Sequence, residues 1–124
     1  MKRKIVPGLA AAVLFSMFAA AAQASVLRVV VVETSDMKAY VQEIEKGKAL
    51  LQRIGSPAKI RVWRARFAGP DAGKVIVSVE WADMVTFAND DKKTAADGDY
   101  QAWLKGLDRL REVLSDNLYE EQKP

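Results

Sequence analysis

The run VIVSVEWADMVTFA, residues 75–88, carries one carboxylate, Glu80, at the end of an alternating valine pattern. A carboxylate placed there has two uses. It can line a cavity and act as acid or base once burial raises its pKa. It can also close a cross-strand ion pair, which fixes the register of a hairpin. Arg61, in AKIRVWRARF (residues 58–67), is the partner for the second role. A different set of residues could bind an apolar ligand: Tyr40, Trp81, Phe87 and Trp103, aromatic rings that fall near the junctions of strands and helices. Ordinary core packing is the competing account of all four.

Much familiar chemistry is excluded by composition. The chain has no histidine and no cysteine, so Ser-His and Cys-His nucleophiles and the usual zinc ligand sets are impossible. Asp90-Asp91, Asp97-x-Asp99 and Glu120-Glu121 lack the spacing of a calcium loop and read as solvated surface or helix caps. No glycine-rich phosphate loop occurs; Gly69 and Gly73 belong to a turn. Arg61, Arg64 and Arg66 could clasp an anion, although neighbouring acids are the commoner partners. No cofactor and no metal are expected.

The elements that must position these residues follow an apparent export signal. MKRK is a basic start, residues 9–22 form an apolar run of 14, and Ala22-Gln23-Ala24 is an A-x-A cleavage site. Residues 1–24 are expected to leave by cleavage between Ala24 and Ser25, placing the protein in the periplasm or outside the cell. The run is short for a membrane span. The full chain holds 19 basic and 16 acidic residues. Three basic residues, Lys2, Arg3 and Lys4, leave with the signal, so residues 25–124 balance at 16 of each. The basic pI is therefore no argument for nucleic acid or anionic membrane as a partner.

Residues 25–124 form one small domain. SVLRVVVVET (25–34) reads as a central strand buried on both faces. Thr34 or Ser35 can cap a helix over 36–54, ended by Gly55 and Pro57. Residues 58–67 and 74–81 form an antiparallel hairpin around AGPDAG. Asp83 caps a helix to about residue 96, with Met84, Phe87 and Ala88 as its apolar side; DGD (97–99) breaks it and caps a further amphipathic helix to about Ser115. NLYEE (117–121) is a short last strand. The order β-α-β-β-α-β, with the second helix broken, defines an α+β, ferredoxin-like antiparallel sheet with helices on one face.

Pairing Phe67 with Lys74 sets Ala65 opposite Ile76, Trp63 opposite Ser78 and Arg61 opposite Glu80. Ile60, Val62, Val75, Val77, Val79 and Trp81 then face the helices. Arg61, Trp63, Phe67, Ser78 and Glu80 mark a bare sheet face that needs a cover, and a second copy of the same sheet is the economical one.

VWRARFAGPDAG, VIVSVEWADMVTFA and DYQAWLKGLDRLREVLSDNLYEE together resemble the dimeric α/β-barrel group. The resemblance is to small proteins related to antibiotic-biosynthesis monooxygenases and to the NIPSNAP family, and it covers nearly all of residues 25–124. It implies a homodimer with a cavity in each subunit between sheet and helices. Relatives in this group include cofactor-independent oxygenases and haem-degrading enzymes. The haem-degrading pattern uses a histidine on the iron, and this sequence has none. Two functional readings remain open. One is an exported dimer that binds a small apolar or aromatic ligand, in the manner of a cofactor-independent monooxygenase. The other is a non-enzymatic interaction or stress-related module without a ligand pocket.

Overall fold

The computed structural model describes residues 24–67 and 69–124. The expected export signal, apart from Ala24, lies outside the described residues.

β1 (Val26–Glu33) is a central strand of one four-stranded sheet of order β2-β3-β1-β4, antiparallel throughout. Its apolar run serves two faces. Val26, Val30 and Val32 are buried beneath the helices, and Leu27, Val29 and Val31 alternate onto the opposite side. α1 (Met37–Ile54) follows, with Tyr40, Ile44, Gly47 and Leu51 on its buried side. Full burial of a side chain such as Ile44 or Leu51 contributes about 1.5–3 kcal/mol. Gly47 lets the Trp103 ring approach so closely that a Cβ there would lie 2.2 Å from Cζ2.

The cap of α1 is Asp36, which accepts from the Ala39 amide at 3.0 Å. Thr34 and Ser35 do not cap it. The Thr34 hydroxyl donates to the Leu110 carbonyl at 2.6 Å and accepts from the Asp36 amide at 3.2 Å, tying the helix entry to the end of the last helical segment. At the other end Gly55 adopts φ 80°, a left-handed conformation open to glycine at no cost.

β2 (Lys59–Arg64) and β3 (Val75–Trp81) form the hairpin. The observed register is offset by two residues from the expected one: Trp63 faces Ile76, Arg61 faces Ser78 and Lys59 faces Glu80. The chain turns back early because the Gly73 amide, at φ 84°, donates to the Ala65 carbonyl at 2.7 Å. Arg66 and Phe67 therefore sit beyond the ladder. A shift of two leaves every ladder residue on its expected face, because the pleat has period two, but Phe67, expected on the bare face, is in the turn instead. Ile60, Val75, Val77 and Trp81 are buried under the helices, as the alternation requires. The expected Arg61–Glu80 ion pair is not formed, because the two residues are no longer opposite one another. Neither has an ion-pair partner among the described residues.

α2 (Met84–Ala96) begins at Asp83, whose side chain accepts from the Thr86 amide. α3 (Gly98–Gly106) begins at Asp97, which accepts from the Tyr100 amide. A short 3-10 turn, Leu107–Arg109, follows, and β4 runs over Glu112–Glu120. The expected helix to Ser115 is thus cut short, and the last strand starts five residues earlier. Leu107, Leu110, Val113 and Leu114 fit a helical spacing. The long β1 nevertheless recruits residues 112–120 along its free side, with an irregularity between Val31 and Val32 that absorbs one extra residue. Among the described residues, no helix is long and apolar enough to cross a membrane.

Candidate functional site

A cavity of about 110 Å³ lies between β1, β3, α2 and α3. Its walls include Arg28, Trp81, Phe87, Asp90, Tyr100 and Leu104. A second hollow of about 80 Å³ shares Arg28, Val79, Tyr100 and Leu104 with it and extends toward Trp103 and Arg111. The two together form a cleft beneath α3.

Each wall residue is placed by its element. Trp81 ends β3 on the helix-facing side, and its ring meets Phe87 edge-on, with centroids 4.8 Å apart. Phe87, Asp90 and Thr94 recur at spacings of three and four along α2, so they share the inward side. Met84 and Ala88, expected on that side with Phe87, are exposed. Asp90 is only 3% exposed. Its Oδ2 accepts from the Trp81 indole Nε1 and from the Ser56 hydroxyl, each at 2.8 Å. Its Oδ1 is buried without a hydrogen-bond partner among the described residues. Asp90 is therefore not the solvated residue that its place in an acidic pair suggested.

Arg28 interrupts the apolar β1 on the helix-facing side and is held by Asp116 of β4, with Nε donating to Oδ1 at 2.8 Å and Nη2 to Oδ2 at 2.5 Å. The two-pronged bond raises the Arg28 pKa and lowers that of Asp116. Burial pushes the Tyr100 phenol up, against the opposing pull of Arg28. The Asp83 and Asp97 carboxyls are lowered chiefly by the helix amides they cap.

Carboxyls with a lowered folded pKa stabilise the fold above the unfolded aspartate value, about pH 4, and that stabilisation is lost as pH falls through the folded value. The urea midpoint should therefore fall on acidification from about pH 5 to about pH 2. Asp116→Asn should reduce the steepness of that fall. An unchanged slope in the variant would show that the Arg28 bond does not carry it.

The four aromatic residues singled out by sequence are dispersed. Trp81 and Phe87 line the cavity together. Trp103 borders the adjoining hollow, with its indole donating to the Glu43 carbonyl at 2.9 Å. Tyr40 is fully buried in the first turn of α1, where its hydroxyl accepts from Arg111 at 2.9 Å, and it borders neither hollow. Burial raises its pKa, and Arg111 opposes the rise. Arg28, Asp90, Tyr100 and Asp116 were missed by the sequence reading. Asp90 could have been found from its three-residue spacing from Phe87, and Arg28 from its alternation with Val26 and Val30. Asp116 could not, because it depends on the position of β4.

On the opposite side of the sheet, Arg61, Trp63, Ser78 and Glu80 border a shallow groove of about 380 Å³ with Leu27, Val29 and Ile76. The Trp63 indole donates to the Ser78 hydroxyl at 2.8 Å, yet the residue remains 50% exposed. Phe67 stands fully exposed in the turn, apart from this groove. A third hollow, about 690 Å³, lies at the start of α1 among charges of both signs, including Glu33, Arg64, Lys74, Arg109 and Glu112. Among the described residues, no group of three or more His, Cys, Asp or Glu side chains could hold a metal ion.

The sheet order, the antiparallel pairing and the helices on one face define a ferredoxin-like α+β domain. No protein-family model and no curated protein matches the sequence. Solved structures do match the fold. SnoaB from Streptomyces nogalater, described as a cofactor-independent oxygenase, is 14% identical, with a TM-score of 0.58 over 82% of this chain and 96% of its own. A NIPSNAP family protein from Agrobacterium tumefaciens is 17% identical, with a TM-score of 0.61 over 82% of this chain and 86% of its own. A NIPSNAP-like domain protein from Burkholderia xenovorans is 10% identical, with a TM-score of 0.60 over 82% and 85%. The fold is thus the one that antibiotic-biosynthesis-monooxygenase-like and NIPSNAP proteins share, as the resemblance implied.

Proposed function

We propose that this is an exported homodimeric protein whose cleft between sheet and helices binds a small, largely aromatic or apolar ligand, as a cofactor-independent monooxygenase-like protein would. The observation that carries the reading is the cavity walled by Trp81, Phe87 and Tyr100 with a buried carboxylate in its wall. Apolar walls with one or two fixed polar groups are the usual make-up of a small-molecule site. The fold shared with SnoaB supports the oxygenase class. The homodimer is supported by the bare sheet face, where Trp63 and Tyr119 are 50% and 53% exposed beside Leu27, Val29 and Ile76. The small volume, about 110 Å³, favours one rival: a non-enzymatic module whose cleft is only imperfect packing.

A native mass spectrum of the protein purified from the exported fraction separates the two. The expected species starts at Ser25, has twice the monomer mass and carries a reproducible small adduct. In Phe87→Ala the adduct should be lost while the dimer persists. A clean dimer without adduct, together with no ligand-induced shift in either protein, would favour the module.

A further inference from the structure

Two buried polar atoms in the cleft walls lack a hydrogen-bond partner among the described residues: Asp90 Oδ1, beside the cavity, and Arg111 Nε, beside the adjoining hollow. A carboxylate only accepts hydrogen bonds, and Asp90 has both of its donors, Trp81 Nε1 and Ser56 Oγ, on the same oxygen. Oδ1 is left buried and unpartnered in a residue that borders the cavity. Native proteins leave few such atoms, since each costs the desolvation of the group. Both existing donors are neutral. Arg28, the cation of this cavity's wall, is already engaged through two bonds by Asp116, and Arg111, in the adjoining hollow, donates to the Tyr40 hydroxyl. A second carboxylate, Asp91, also borders the cavity. The excess charge of the wall is thus negative, while Trp81, Phe87 and Tyr100 supply aromatic rings, surfaces that attract a cation as well as apolar carbon.

We propose that the cleft selects ligands bearing a protonated amine, whose N–H donates to Asp90 Oδ1 while the aromatic rings cover the attached apolar part. This rests on the ligand-binding reading of the cleft and adds the chemical class of the ligand. Ser56 and Trp81 act as positioning residues, because their bonds fix Oδ2 and so direct the second oxygen.

Benzylamine and benzyl alcohol, a matched charged and neutral pair, test it. Each is titrated at neutral pH into the full exported protein, and the Trp81 indole N–H is followed by nitrogen-proton NMR. The expected result is that the amine binds about tenfold or more tightly than the alcohol, as a charge-assisted bond to a buried acceptor requires. Asp90→Asn should abolish that preference. Equal affinity of the two probes for the wild-type protein would overturn the amine proposal and leave the cleft as a binding site, with Oδ1 satisfied by solvent. Failure of both probes to move the Trp81 signal would overturn the cleft reading as well. The wild-type comparison stands even if Asp90→Asn does not fold.

Discussion

Trp81→Phe should lower the stability of the fold by about 3 kcal/mol, well beyond the value of one ordinary hydrogen bond. Phenylalanine keeps an aromatic ring near Phe87, which the indole meets at 4.8 Å. It loses the Nε1 donor that reaches Asp90 Oδ2 at 2.8 Å. The carboxylate, 3% exposed and already short of a partner on Oδ1, would then depend on the Ser56 hydroxyl alone. Removing one partner from a buried charged group exposes its full desolvation cost. For a domain whose total stability is about 5–15 kcal/mol, the loss should be plain in a urea titration. Pairing the change with Asp90→Asn should recover a substantial part, because a neutral amide is cheaper to leave partly unmet. A cost under about 1 kcal/mol would mean that water reaches the carboxylate and that the Trp81 bond is incidental.

Trp63→Glu should convert the proposed homodimer to monomer while leaving the subunit folded. In the single subunit the side chain is half exposed, so its loss removes little from the core. In two sheets packed face to face, the same position would bury an unpaired carboxylate in each copy. Such a charge costs about 3 kcal/mol or more, equivalent to at least about a hundredfold weaker association. Sedimentation at micromolar concentration should show half the wild-type mass, with an unchanged far-ultraviolet spectrum. A variant that remains dimeric would mean that the bare face is not the seam.

The hairpin and the last strand show how far the residues alone could be read. The alternation assigned the ladder residues 59–64 and 75–81 to their faces correctly even though the pairing was two residues out, whereas Phe67, expected on the bare face, lies in the turn. The face depends only on parity, whereas the register was set by Gly73 folding back onto Ala65. Residues 107–115 failed for a different reason. Their leucines and valines satisfy helical spacing, and pairing with β1 outweighs that local preference.

Asp83 and Asp97 were legible as caps because capping is a contact within three residues. The inward side of Asp90 follows from its spacing to Phe87, but its partners do not, since Ser56 and Trp81 are 34 and 9 positions away.

The order of elements, the facing of the strand residues and the absence of histidine and cysteine chemistry therefore follow from the residues alone. Those properties rest on periodicity, on local hydrogen bonding and on composition. Only the tertiary structure decided which aromatics meet. It brought Trp81 against Phe87 and left Tyr40 in the core, because helix and strand positions far apart in the chain converge only when the layers pack. It also decided that one aspartate of an acidic pair is buried while its neighbour is exposed. Adjacent residues on a helix point about 100° apart, and the sheet covers only one of those directions.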